Sequence, residues 1–156
     1  MRKHNQEITD VKIIEEILSY SEICRIAMMD GDKPYILPFN YGYENNSIYI
    51  HCAPEGKKID LLKINSSVCF EIEHTAELLK AEKACKWSTR YRSIVGYGEV
   101  RIISEFDQKK RGWEIIMRSN GAEGALEFEK KHVDAVAILK LEISSLNAKQ
   151  SSNWNI

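Results

Sequence analysis

Residues 47–64 read SIYIHCAPEGKKIDLLKI, a stretch that places a strand, a turn and a helix in immediate succession. Its first six residues are typical of a strand, and its last six are typical of a helix. Gly56, Lys57 and Lys58 lie where that helix begins. A helix N-terminus presents unpaired N–H groups and a partial positive charge, so two added lysines make this turn a candidate phosphate site. A helix start with two solvated lysines also fits the pattern, and a motif this short does not decide between the two interpretations.

Turn signals on either side of this stretch separate further segments with strand or helix character. The Asp30-Gly31 and Glu44-Asn45-Asn46 turns predict tight hairpins. The predicted strands are Glu22–Met29, Tyr35–Tyr43, Ser47–Cys52, Ser67–Glu73, Arg90–Ser104 and Val133–Ile143. The predicted helices are Val11–Tyr20, Lys58–Asn65 and a segment from Asp107 to about Ser119, while Thr75–Lys86 suits either a helix or an ordered loop.

About six strands in hairpin order predict a mainly β protein with antiparallel pairing and a few short helices. Closure into a barrel is the natural way to remove the edges of so long a sheet. Pro38 cannot donate a ladder hydrogen bond, so it marks its strand as an edge or a bulge. Strands and helices do not alternate, which argues against a parallel doubly wound sheet.

Composition and charge exclude several classes of function. The 156 residues include 22 basic and 23 acidic ones, for a net charge of −1, which argues against broad electrostatic binding to nucleic acid or to an anionic membrane. No apolar run approaches the roughly 20 residues that span a bilayer, and no secretory signal is recognisable, so we expect a cytoplasmic protein. The four cysteines lack the spacing of metal ligands, and we expect free thiols and no metal site.

The order of these parts resembles the FMN-binding split-barrel family related to pyridoxamine 5′-phosphate oxidase, and within it the nitroimidazole-resistance (Nim) branch. The resemblance covers roughly residues 8–145, and it depends on the order and spacing of several short segments rather than on any one of them. These segments are residues 35–41 (YILPFNY), 48–53 (IYIHCA), 55–58 (EGKK), 61–65 (LLKIN), 68–70 (VCF) and 91–98 (YRSIVGYG).

The resemblance implies a single domain over residues 1–156, a six-stranded split β-barrel of Greek-key type with a core at about 8–145 and a C-terminal tail at 146–156. It also implies a homodimer with FMN at the subunit interface. Lys57 and Lys58 match the basic pair that holds the FMN phosphate, and Arg92 and Ser93 match a second contact to the phosphate or ribityl chain. The positions that match the walls of the flavin ring are Leu37, Pro38, Phe39, Asn40, Ile50, His51 and Ala53.

His51 occupies a position that is a histidine beside the flavin in the Nim branch. The functional interpretation is a proton donor or a group that orients the substrate, since the ordinary imidazole pKa suits proton transfer near neutrality. The alternative is a strand-end histidine that packs against Tyr49 on the same face. The two interpretations have about equal weight once the resemblance is admitted.

The resemblance leaves several functions open. The first is an FMN-dependent oxidoreductase that reduces a small planar acceptor such as a nitroimidazole or another nitro-aromatic. The alternatives are a non-catalytic FMN-binding sensor or carrier, and a haem-binding split barrel. The chain lacks the arginine-rich C-terminal segment of pyridoxamine 5′-phosphate oxidase, so that substrate is not expected. The sequence does not decide whether Trp154 docks onto the barrel or lies in a disordered tail, or whether Trp87 helps to wall a pocket.

Overall fold

A computed structural model describes residues 4–152 and 154, and it contains a single antiparallel sheet with four α-helices packed on it. The strands are β1 (Glu7–Ile8), β2 (Ile23–Asp30), β3 (Lys33–Asn40), β4 (Gly42–Glu44), β5 (Ser47–Cys52), β6 (Ser67–Leu79), β7 (Ser88–Ile103) and β8 (Ala137–Gln150). The helices are α1 (Val11–Tyr20), α2 (Lys57–Ile64), α3 (Phe106–Ser119) and α4 (Lys130–Asp134), with short 3-10 segments at His4–Gln6 and Ala84–Lys86.

The sheet is an open barrel with a gap between its first and last strands. Its order is β3-β2-β6-β7-β8-β5-β4, and β1 pairs with β8 outside this path. β3 and β4 therefore lie at opposite edges of the sheet although they are consecutive in the chain. This confirms the predicted mainly β split barrel, and the edge position of β3 agrees with the position of Pro38. The described residues form eight strands rather than six, because β1 is added and the predicted strand Tyr35–Tyr43 is divided into β3 and β4 at the buried Tyr41.

The core follows from strict alternation along the strands. Alternate residues of β2, of the first half of β6 and of the middle of β7 point inward, and Ile26, Phe70 and Ile94 are almost fully buried there. α1 contributes two more buried side chains, Ile17 and Leu18, to the same cluster. The first helix begins as expected, because the side chain of Asp10 accepts a hydrogen bond from the amide of Lys12.

Three further boundaries, in β6 and β8, differ from the sequence predictions by more than two residues. Residues 75–79 continue strand β6 rather than starting a helix or a loop, because they pair with β7 across a hairpin whose partners include Glu77 and Arg90. β8 starts at Ala137, and the preceding Val133 lies in α4 instead. β8 also extends to Gln150, where it pairs with β7 and β1, so the tail predicted to begin at residue 146 is strand for its first five residues.

α3 lies unusually close to the sheet because two glycines leave room for it. A Cβ atom on Gly42 would lie 2.7 Å from backbone atoms of Ile115, and one on Gly112 would lie 2.7 Å from Cγ2 of Ile138. This approach places α3 beside the end of β5, where His51 lies. Among the described residues, no helix is both long and apolar enough to cross a membrane.

Candidate functional site

The start of α2 is an uncapped helix N-terminus that carries two lysines. Gly56 precedes it with a φ of 105°, a conformation that favours glycine, and no side chain among the described residues caps the first turn. The amides of Ile59 and Asp60 donate hydrogen bonds to the carbonyl of Gly56. The amides of Lys57 and Lys58, which precede them, therefore have no acceptor within the helix.

Lys57 extends from this turn toward the β2–β3 hairpin. Its ammonium forms an ion pair with the carboxylate of Asp30 at the end of β2 and lies 5.0 Å from the ring centroid of Tyr35. The hydrogen bond to Asp30 raises the pKa of Lys57, so the side chain is a stable cation. Asp30 was not predicted as a site residue, because its contact depends on the position of the hairpin relative to α2.

Lys58 faces the end of β5 instead. It is half-buried, and its positive charge opposes the effect of burial, which raises the pKa of the Cys52 thiol. The two lysines therefore extend from the turn on two sides, Lys57 toward the β2–β3 hairpin and Lys58 toward the end of β5. Two cations and a set of free amides are the donors that a phosphate dianion requires, so the residues present fit the phosphate of FMN.

The residues predicted to contact the flavin ring divide between the two faces of their strands. Leu37 and Phe39 are half-buried on the inner face of β3, whereas Pro38 and Asn40 are exposed on the outer face. At the end of β5, Ile50 is fully buried and Ala53 is exposed beyond the last strand residue. β3 is the free edge of the sheet, so this segment is accessible from the gap in the barrel.

His51 is exposed and stacks on a tryptophan rather than on its strand neighbour. Its ring lies 6.0 Å from that of Trp113 in α3, at an interplanar angle of 17°. Trp113 in turn contacts Phe128, with ring centroids 5.4 Å apart. Neither Trp113 nor Phe128 was predicted as a site residue, because His51 and Trp113 are 62 positions apart in the sequence and their contact has no local signal.

Arg92 and Ser93 lie at the other end of the sheet from the two lysines. Ile94, the residue after Ser93, pairs with Ile72 of β6, which in turn pairs with Cys24 of β2. Cys24 lies six residues before Asp30, the ion-pair partner of Lys57, along β2. At roughly 3.3 Å per residue, Asp30 lies about 20 Å along the strand direction from the row that contains Ile94. The structure therefore does not bring Ser93 and the lysines together within one chain.

Arg92 is buried and has partners within the chain. Its guanidinium donates to Gln150 at 3.3 Å and to Glu16 at 3.4 Å, and it lies 4.1 Å from the ring centroid of Trp154. Of the two alternatives for Trp154, the structure supports docking onto the barrel. A contact from Arg92 to a flavin stays a prediction, and Trp154 would have to move to permit it.

The remaining predictions from the sequence concern Trp87, the cysteines and metal ligands. Trp87 donates a hydrogen bond to the carbonyl of Ala81 at 2.7 Å and closes the β6–β7 loop. All four cysteines are free thiols, as predicted. Within residues 4–152 and 154, no group of three or more metal-ligating side chains forms a metal site.

Comparisons with known proteins agree with this geometry. Residues 10–150 match the family model described as pyridoxamine 5′-phosphate oxidase. An uncharacterised protein of Rhizobium meliloti is 32% identical over 103 residues, which cover 63% of this chain and 67% of that relative. A crystal structure from Bacteroides thetaiotaomicron, provisionally assigned as a 5-nitroimidazole antibiotic resistance protein, has a TM-score of 0.81 and 30% identity, and the match covers 92% of this chain and 86% of the other.

A more distant structure shares the fold alone. The flavocytochrome Anf3 from Azotobacter vinelandii has a TM-score of 0.82 with 19% identity, over 98% of this chain and 72% of that protein. The family match extends over nearly all of the sheet, from the start of α1 to the last residue of β8. The chain therefore belongs to the pyridoxamine 5′-phosphate oxidase family of flavin-binding split-barrel proteins.

Proposed function

We propose that the protein is a flavoprotein that binds FMN, with the phosphate held at the N-terminus of α2. The observation that supports this most directly is the pair Lys57 and Lys58 at an uncapped helix start, one short turn after the end of β5. The half-buried apolar side chains of Leu37 and Phe39 offer a wall for a flat ring at the free edge of the sheet.

The chain's own residues bind, orient and supply protons. FMN, when bound and reduced by an external electron donor, would supply two electrons, and the protein would then act as an oxidoreductase that reduces a small planar acceptor such as a nitroimidazole or another nitro-aromatic. Trp113 holds the His51 ring by stacking, and the opposite side of that imidazole is free to orient the acceptor or donate a proton to it.

The working unit in this proposal is a homodimer. The outer face of the sheet exposes Met29, Ile36, Val95 and Tyr97 by 47%, 58%, 43% and 57%. Ile36, Ala27, Cys69 and Tyr97 are successive cross-strand partners, so these four side chains form an apolar band across β3, β2, β6 and β7. Met29 and Val95 lie on the same face beside this band. A contiguous apolar band of this kind is typical of a protein–protein contact.

The dimer explains the position of Ser93. Ser93 shares the outer face with Val95 and Tyr97 because successive strand residues alternate. Within one subunit, Ser93 lies about 20 Å from Asp30, the partner of Lys57. A second copy on this face is therefore needed for both Ser93 and Lys57 to contact one cofactor.

The visible absorption spectrum of the purified protein is the first test. A flavin band that survives desalting and is released as FMN on denaturation is expected. A sharp Soret band would identify a haem-binding protein instead, and a colourless protein that does not bind added FMN would refute the proposal. Mixing anaerobically reduced protein with a nitroimidazole then separates a reductase from a carrier, since only the reductase is reoxidised faster than in buffer.

The assembly has its own test. We expect light scattering to give twice the chain mass for the wild-type protein and a single chain mass for Tyr97→Asp, which puts a charge in the apolar band. Tyr20→Asp is the matched control, because Tyr20 is 75% exposed on α1 and lies outside the band. A wild-type monomer, or a Tyr97→Asp monomer that binds FMN with unchanged affinity, would contradict the two-copy arrangement. A Tyr97→Asp variant that remains a dimer would exclude the apolar band as the interface.

A further inference from the structure

A cleft of 480 Å³ opens between α3, α4 and the chain that joins them. Trp113, Phe128, Ala135 and Val136 form its apolar wall. The volume falls within the range of small-molecule sites and suits one compound built on a single ring. The proposed FMN phosphate site does not use any of these residues.

The cleft is next to His51. Val136 directly precedes β8, whose first two residues, Ala137 and Ile138, pair with Cys52 and His51. Trp113 both lines the cleft and stacks on His51. A compound in the cleft therefore lies close to the end of β5, which the proposed function assigns to the flavin and the acceptor.

The wall of the cleft is anchored rather than loose. The buried Lys109 of α3 extends its ammonium to the carbonyl of Asp134 at 3.4 Å, at the end of α4. Val133 in the same helix is fully buried. These two contacts hold α4 against α3, so the cleft exists before any compound enters it.

The rim carries one carboxylate that no lysine within the described part of the chain neutralises. Glu127, Glu129 and His132 line it, and Glu129 is paired with Lys131 at 2.7 Å. Lys130, on the same helix, is paired with Asp134 at 2.6 Å. No ion pair involving Glu127 occurs among the described residues, so the Glu127 carboxylate repels an anionic compound and attracts a cationic one.

We propose that this cleft is the acceptor site, and that it selects planar aromatic compounds that are uncharged or positively charged over anionic ones. This inference rests on the proposed flavin function for its role in turnover, but the cleft is built by one chain, so binding can be measured without the cofactor. Phe128 supplies the apolar contact and Glu127 supplies the charge selection.

Three matched compounds test the selection: 4-nitrobenzyl alcohol, 4-nitrobenzylamine and 4-nitrobenzoate, which are neutral, cationic and anionic at neutral pH. Titration calorimetry on the full chain should give the benzoate a Kd at least about threefold weaker than the alcohol, and the amine a tighter one. Glu127→Gln should bring the three values within about twofold. Glu123→Gln, in the same exposed segment but outside the cleft, should leave the wild-type order unchanged.

The location is tested by removing the aromatic contact. Phe128→Ala should weaken the alcohol's Kd by about fivefold or more, whereas Tyr20→Ala, an exposed aromatic outside the cleft, should leave it unchanged. Equal binding of all three compounds, or an unchanged Kd in Phe128→Ala, would overturn the proposal. The Trp113→Leu variant provides a second test, with its fold verified by circular dichroism.

The cleft proposal and the flavin proposal can be refuted independently. Normal FMN binding with no binding of the three nitro compounds refutes the cleft alone. Selective binding of the compounds by a protein that does not bind FMN refutes the flavin function and leaves the cleft as a ligand site of another activity. A protein that binds neither FMN nor the three nitro compounds would refute both proposals.

Discussion

Replacing both lysines at the start of α2 by alanine should weaken FMN binding and leave riboflavin binding unchanged. At 4 Å in water, an ammonium and a phosphate dianion attract each other by about 2 kcal/mol. Screening at about 0.15 M salt lowers this to roughly 1.2 kcal/mol, or about an eightfold change in Kd. Two such contacts give about sixtyfold for the Lys57→Ala/Lys58→Ala variant, whereas riboflavin lacks the phosphate and does not depend on them.

The surroundings of the two lysines rank the single variants. Lys58 is half-buried, so its attraction is screened less, and Lys58→Ala should exceed the eightfold figure. Lys57 is exposed and already paired with Asp30, so Lys57→Ala should fall below it. Asp30→Asn should have the opposite sign and tighten FMN binding by about two- to fivefold, because it removes a negative charge beside the phosphate.

Quenching of flavin fluorescence on titration with apoprotein measures these values, at low and high salt. Lys63→Ala is the matched control, since it removes the same charge from the last turn of the same helix. The reasoning is refuted if wild-type protein binds FMN and riboflavin equally, or if the double variant changes the FMN Kd by less than twofold. A loss of riboflavin binding equal to that of FMN would indicate a folding defect instead.

Three other predictions concern stability and reactivity. Gly42→Ala should lower the free energy of unfolding in urea by about 1–3 kcal/mol or more, because its Cβ would meet the backbone of Ile115 at 2.7 Å; an unchanged midpoint would contradict this. The backbone amides of α3 lower the pKa of Glu105, so its contribution to stability is full above the unfolded pKa of 4.5 and is lost as pH falls through the lower folded pKa; the unfolding midpoint of Glu105→Gln should therefore approach that of the wild type in acid and fall below it near neutrality. Iodoacetamide should label Cys85 first in the native protein and leave Cys24 unlabelled, since Cys85 is exposed while burial raises the pKa of Cys24; mass spectrometry of Cys85→Ser should show the fast label lost.

Local signals were sufficient for some elements. α1 and β5 have the predicted bounds. Asp10 caps the start of the helix, and a tight turn directly precedes the first residue of β5. That turn uses Asn45 and Asn46, whose φ values of 51° and 57° are ones that asparagine tolerates better than most residues. Where a cap or a turn residue sets the boundary, the sequence alone predicts it.

Other features depend on partners far along the chain. Residues 75–79 contain the Ala, Glu and Leu typical of a helix, yet pairing with β7 makes them a strand, since tertiary contacts override weak propensities. The stacking of His51 on Trp113, and the pairing of Lys57 with Asp30, require α3 and the β2–β3 hairpin to be in place. Neither contact has a local signal in the sequence.

The register of the sheet constrains how any cofactor can be held. β2, β6 and β7 are paired residue by residue, so the separation between Lys57 and Ser93 cannot shrink by side-chain movement. A phosphate accepts hydrogen bonds only from groups about 3 Å away, and one subunit therefore offers it either the lysines or Ser93. If both matter, the second set comes from another copy across the apolar band, and FMN affinity and dimer affinity are then linked by mass action. Under that linkage, a charge at Tyr97 weakens FMN binding without touching the residues that hold the phosphate.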